Sequence, residues 1–207
     1  LSSVNYLKKY IYISTPEIFG SSKKYINENN FTYNPSTPYA TSKLSAEILL
    51  KNYFNFYKLP IIISRFSNFY GPGQPPYRLI PKIISCIDSK SKFPVEGNGQ
   101  SKRNFIFSDD FCNGIYKTIT QGKAGKTYHF SGDKFYRVLD VIKIICDLKS
   151  VNLKKLIKKT PSRIGQDLLY KLGSFETRKN LKWKPIFSLK EGLKKVIMYH
   201  NKNFIKI

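Results

Sequence analysis

Tyr39 and Lys43 stand four residues apart at the start of a helical pattern, a spacing that sets two side chains on one helix face within reach of a shared ligand. A phenol beside an ammonium, near the positive end of a helix, is favoured as phenolate. The pair therefore predicts a tyrosine pKa below its ordinary value of about 10 and a general base near neutral pH. The same spacing also arises where a core-edge aromatic sits beside a solvated lysine, so the pair alone names a candidate. A second group lies upstream in Ser14-Thr15-Pro16-Glu17-Ile18-Phe19-Gly20, where a hydroxyl and a carboxylate follow an apolar run.

Stepping outward, Tyr10-Ile11-Tyr12-Ile13 reads as a buried strand, which places Thr15 and Glu17 at its carboxyl end, where ligands collect in open α/β sheets. Thr37 is a good N-cap and Pro38 suits the first helical position, so a helix is predicted from Pro38 to about Lys58, with Ala46, Leu49, Leu50, Tyr53, Phe54 and Tyr57 packing into the core. Leu59-Pro60 ends it, and Ile61 to Phe66 reads as the next buried strand, completing a βαβ unit. Ser21 to Thr37 and Ser67 to Pro76 read as loops, with Ser67 and Asn68 facing the same sheet edge as Thr15 and Glu17. Further on, the pattern gives a helix near 78–88, strands at 93–95 and 103–107, and a helix capped by Ser108-Asp109-Asp110 that stops at Gly122. A strand at 128–130 and helices at 137–148, near 174–180 and from Leu189 to about Asn201 complete the chain.

A chain of 207 residues with 41% hydrophobic and 15% aromatic residues can bury a substantial core, and no run approaches the roughly 18 apolar residues of a membrane span. The start of the sequence has no secretory pattern, and Cys86, Cys112 and Cys146 are odd in number and far apart. They read as small core residues of a cytoplasmic protein. His129 and His200 have no partner cluster, so no metal site is expected. The formal net charge of +23 is carried by lysines scattered through the chain. It favours anionic small substrates and gives little support for nucleic acid as a partner.

In this order the motifs resemble the extended short-chain dehydrogenase/reductase family, and within it the NAD-dependent nucleotide-sugar epimerases and 4,6-dehydratases. Ser14 to Gly20, Pro38 to Lys43, Arg65-Phe66-Ser67-Asn68-Phe69-Tyr70-Gly71-Pro72, Arg78-Leu79-Ile80-Pro81, and Gly97 to Gln100 with Arg103 and Asp109-Asp110 carry the resemblance; Arg163 to Asp167 with Tyr170 adds a weaker motif. It implies an α/β fold: the carboxyl-terminal part of a Rossmann-like doubly wound parallel sheet over 1–72, and a small α/β substrate-binding region over 73–207, with about 103–122 packing back on the first part.

The resemblance also implies roles. Tyr39 would take the proton of the sugar's 4-hydroxyl while NAD accepts the C4 hydride, with Lys43 holding the nicotinamide ribose and Thr15 bonding the same hydroxyl. Glu17 would remove the C5 proton. Ser14, Phe66 and Asn68 would line the cofactor site with Tyr39 and Lys43. Ser67 and Asn68 would meet the sugar, Leu79, Ile80 and Pro81 the nucleotide base, and Arg103 and Arg163 the diphosphate. A homodimer is implied for the full-length form.

Two departures qualify this. Pro16 stands where the dehydratase motif has an aspartate that protonates the leaving 6-hydroxyl, which opens the alternatives of a UDP-sugar decarboxylase or a 4-epimerase. The glycine-rich turn that cradles the NAD pyrophosphate is not in the sequence, so the chain reads as a fragment that binds NAD poorly alone. Outside this family, the basic composition leaves a non-catalytic nucleotide- or nucleic-acid-binding protein as the alternative.

Overall fold

The computed structural model describes residues 6–162 and 168–204. The first strand, β1 (Tyr10–Ser14), forms where the β-branched and aromatic run predicts it. It is not a buried strand, however. Tyr10 and Ile13 are 44% and 39% exposed, because β1 lies at the edge of its sheet and is paired on one side only among the described residues. A 3-10 turn, Pro16–Phe19, follows at its carboxyl end. The next segment, which reads as loop, contains a two-residue strand, β2 (Tyr25–Ile26), paired in parallel with Lys171–Leu172.

Helix α1 (Pro38–Tyr57) starts as its sequence predicts: Thr37 Oγ1 accepts a bond from the Ala40 N–H at 3.1 Å, and Pro38 takes the first turn. Its faces are another matter. The buried residues of α1 are Ala40 and Glu47, whereas Leu49 and Tyr57, expected in the core, are 55% and 58% exposed. The cause lies in the next strand, β3 (Ile61–Phe66), which is buried along its whole length and carries Arg65 as a partner for Glu47.

The segment after β3 is not simply loop, since it forms β4 (Asn68–Tyr70) before α2 (Leu79–Asp88), β5 (Phe93–Glu96) and β6 (Lys102–Phe107). Helix α3 (Ser108–Gln121) ends at Gly122 as expected, but Ser108-Asp109-Asp110 does not cap it. Asp110 is instead buried in the first turn, where its carboxylate accepts the N–H groups of Ile186 and Phe187 at 2.8 and 3.1 Å. Then come β7 (Thr127–Phe130), β8 (Phe135–Arg137), α4 (Val138–Leu148), α5 (Leu153–Leu156), β9 (Ile157–Thr160), β10 (Lys171–Leu172), α6 (Phe175–Leu181) and α7 (Leu189–Phe204).

The central sheet is parallel in the order β1-β3-β7, with Ser14 opposite Arg65 and Arg65 opposite His129. Side chains alternate across β3, so Arg65 faces α1 while Ile62 and Phe66 face Phe111 and Ile115 of α3. Helices thus cover both faces, the Rossmann-like arrangement. A Cβ at Gly114 would stand 2.9 Å from the Phe130 ring, so only glycine lets α3 lie this close to the sheet. A second core gathers Ile83 and Ile84 of α2, Val141, Ile142 and Ile145 of α4, and Leu193 and Val196 of α7. Here β4 and β6 run parallel, β6 and β8 antiparallel, and β5 pairs with β9.

All three cysteines are free. Cys146 is buried as expected, but Cys112 is exposed on α3. His129, within the strand expected over 128–130, is fully buried in β7. Among the described residues no helix is long and apolar enough to cross a membrane, and no cluster of His, Cys, Asp and Glu has metal-binding geometry.

Candidate active site

The carboxyl ends of β1 and β3 open into a cleft of about 160 Å³. That is below the roughly 300–1,000 Å³ typical of a complete small-molecule site. Ser14, Thr15 and Glu17 line it from β1 and the 3-10 turn, Tyr39 and Lys43 from α1, and Phe66, Ser67 and Asn68 from the end of β3. These eight residues come from three stretches of sequence and meet because β1 and β3 are parallel neighbours with α1 crossing between them.

Local chemistry fixes each one. Thr15 Oγ1 accepts the Glu17 N–H at 3.3 Å and caps the 3-10 turn. That turn ends at Gly20, where φ is +64° and a Cβ would meet the Asn34 carbonyl at 2.4 Å. Lys43 donates to the Ile13 carbonyl at 3.0 Å and lies 4.8 Å from the Tyr12 ring centre, so its ammonium is anchored on β1. The hydroxyls of Ser14 and Ser67 are buried in the cleft wall without hydrogen-bond partners. A buried hydroxyl left unpaired is costly, and these two border the cleft.

Tyr39 departs from expectation. Its pKa is raised: partial burial is the main cause and the Glu17 carboxylate adds to it, while Arg78 opposes them. The helix-end and ammonium effects expected from the sequence are outweighed, because Lys43 is turned to the Ile13 carbonyl and a carboxylate shares the cleft with the phenol.

The remaining sequence-predicted residues lie elsewhere. Ile80 and Pro81 are buried in the second core and Leu79 packs against it. Arg103 is on β6, its guanidinium 4.8 Å from the Tyr170 ring centre. Tyr170 in turn donates to Asn68 Oδ1 at 2.7 Å, so Arg103 stands behind a residue that orients Asn68. Arg163 lies outside the described residues. Conversely, Ile13, Phe69, Gln74, Arg78 and Tyr170 line the cleft without a role expected from the sequence, and Pro16, the departure from the dehydratase motif, lines it too. Arg78 was legible: it opens the Arg78-Leu79-Ile80-Pro81 motif as a basic residue at a helix start, with no capping bond of its own.

The profile of the NAD dependent epimerase/dehydratase family matches residues 2–130. The chain belongs to this family. The mouse dTDP-D-glucose 4,6-dehydratase is 32% identical over 203 residues, covering 96% of this chain and 57% of the mouse protein. The Neisseria gonorrhoeae dTDP-glucose 4,6-dehydratase is 32% identical over 209 residues, covering 94% and 60%. The chain thus spans a little under three fifths to three fifths of these relatives. Among solved structures, a dTDP-glucose 4,6-dehydratase from Streptomyces venezuelae with NAD bound superposes with a TM-score of 0.90 at 28% identity, covering 94% of this chain and 60% of that one. A UDP-glucuronic acid 4-epimerase from Bacillus cereus, at 24% identity and a TM-score of 0.89, shares the fold.

Proposed function

We propose that this chain forms the catalytic and sugar-binding part of an NAD-dependent nucleotide-sugar 4,6-dehydratase-like enzyme. The observation that carries the reading is the convergence of Thr15, Glu17, Tyr39 and Lys43 on one cleft whose wall holds the unpartnered hydroxyls of Ser14 and Ser67. These residues suit the nicotinamide-riboside end of NAD: Ser14, Tyr39, Lys43 and Asn68 offer groups for ribose hydroxyls, and Phe66 an apolar wall. When bound, NAD supplies the acceptor for a C4 hydride.

The chain's own residues do the proton work. Tyr39 takes the proton from the sugar's 4-hydroxyl, Thr15 holds that hydroxyl, and Glu17 removes the C5 proton once C4 is a ketone. With its pKa raised, the phenol is protonated at neutral pH in this arrangement. Lys43 is the cation on the same helix face that, released from the Ile13 carbonyl, would favour phenolate. Arg103 and Arg163 serve the diphosphate. Since Ile80 and Pro81 are buried, recognition of the nucleotide base by that turn falls to Leu79, which is only partly buried. The full-length form is a homodimer in the cytoplasm on this reading.

Pro16 favours a second reading. It lines the cleft beside Glu17 and has no proton to give a departing 6-hydroxyl, whereas decarboxylation and 4-epimerisation need none there.

The protein expressed from the complete reading frame, given NAD and dTDP-glucose, should form a 4-keto-6-deoxy sugar seen by its absorbance in alkali. Tyr39→Phe should lower kcat by about 100-fold or more. Release of carbon dioxide from UDP-glucuronic acid, or interconversion of UDP-sugars with no keto product, would establish the second reading instead.

A further inference from the structure

The largest side chain that α1 buries completely is a carboxylate, and it meets a guanidinium that no proton-transfer step uses. Arg65 Nε donates to Glu47 Oε1 at 2.9 Å and its Nη2 to Glu47 Oε2, with both side chains fully buried. The rest of the fork is also engaged. Nη1 donates to His129 Nε2 at 3.0 Å and Nη2 reaches the Tyr33 hydroxyl at 3.4 Å, while the guanidinium lies 4.9 Å from the Phe19 ring centre. Arginine can only donate, so Nε2 of His129 accepts, and its Nδ1–H is left to donate to the Gly173 carbonyl at 3.0 Å.

One guanidinium therefore touches the helix that carries Tyr39 and Lys43 and the last residue of the 3-10 turn that carries Glu17. Glu47 follows Lys43 by four residues and Tyr39 by eight, so all three lie toward one side of α1. The apolar side chains Ile48, Leu49, Phe56 and Tyr57 point outward and do little to fix the helix against the sheet. A planar fork bonded through two oxygens has one orientation, which packed hydrocarbon does not impose. A buried ion pair is also weak evidence of stability, since apolar residues of similar volume usually serve as well.

We infer that Arg65 and Glu47, backed by His129 and Tyr33, are positioning residues that fix the roll of α1 and so set the Tyr39 phenol against Glu17. The catalytic consequence rests on the function proposed above. A side-chain tip stands about 5–6 Å from a helix axis, so a roll of about 10° moves it by about 1 Å. A misplacement of that size costs about 100-fold in rate.

The test replaces both partners, Arg65→Met with Glu47→Leu, so that no charge is stranded, in protein from the complete reading frame. The folded double variant should keep its melting temperature within a few degrees. Its kcat on dTDP-glucose with NAD should fall about 100-fold with KM within threefold, and amide exchange at residues 41–44 should accelerate at least tenfold. Unchanged kcat and exchange in the folded variant would overturn the inference, as would a rise in KM that accounts for the whole loss. Arg65→Lys keeps the charge and loses the fork; it should lower kcat and speed exchange in the same segment, and it carries the test if the double variant does not fold. Full activity in Arg65→Lys would also overturn it. Wild-type protein that makes no keto sugar would refute the proposed function alone, because the exchange readout needs no turnover.

Discussion

Helices α1 and α4 divide their faces in opposite ways. On α4, Val141, Ile142, Ile145 and Cys146 are buried and polar residues face water, the arrangement that helical periodicity predicts. On α1 a glutamate is buried and Ile48, Leu49, Phe56 and Tyr57 are exposed. The difference follows from what each helix packs on. Helix α4 meets the hydrocarbon of α2, α5 and α7, whereas α1 meets a strand that presents an arginine, and a buried guanidinium must be paired before anything else is packed. A helix that serves only the core is held by area; the one that presents Tyr39 is held by a bond with direction.

Deleting one partner on α1 gives the largest expected effect. Glu47→Ala strands the Arg65 charge in the interior and should cost about 3–5 kcal/mol in urea unfolding, although the residue removed is polar. If the loss is below about 1 kcal/mol, the pair is not the anchor of α1. On α4, Ile142→Ala leaves a cavity in packed hydrocarbon and should cost about 2–5 kcal/mol by the same measurement.

The third prediction concerns pH. Burial, reinforced by Arg65, holds the His129 pKa well below 6.5, against weaker opposition from backbone bonds to Gly173 and Ile26. The folded protein therefore keeps this imidazole neutral while the unfolded chain protonates it near pH 6.5. Its contribution to stability is fully present above that value and is lost as pH falls. Between pH 6.5 and 5 this histidine alone should lower the unfolding free energy by up to about 1.4 kcal/mol per pH unit. Isothermal urea titrations at several pH values measure the slope, and His129→Gln, which keeps one donor and one acceptor, should flatten it. An unchanged slope in that variant would show that other groups set it. The smallest effect is expected on the outer face of α1, where Leu49→Ala should change stability by no more than about 0.5 kcal/mol.

Much of the site was legible because its positions are set by local rules. Thr37 and Pro38 mark where α1 begins, and that places Tyr39 in the first turn with Lys43 one turn later. The β-branched runs before Ser14 and Ser67 put both segments at the carboxyl ends of strands that turned out to be parallel neighbours. Where the sequence misled, a distant partner had decided. Tyr25–Ile26 is a strand only because Lys171–Leu172 pairs with it, and Asp110 is no cap because the backbone of Ile186 and Phe187 claims its carboxylate.

The start of the helix that carries Tyr39 and Lys43, the strand end that carries Thr15 and Glu17, and the βαβ order were thus determined by the sequence alone, since capping, periodicity and strand propensity act over a few residues. The tertiary structure alone decided that β1 is paired on one side only among the described residues, that Glu47 turns inward to Arg65, and that burial beside Glu17 raises the Tyr39 pKa. Burial and Coulomb interactions depend on which distant groups come together, and spacing along the chain does not record that.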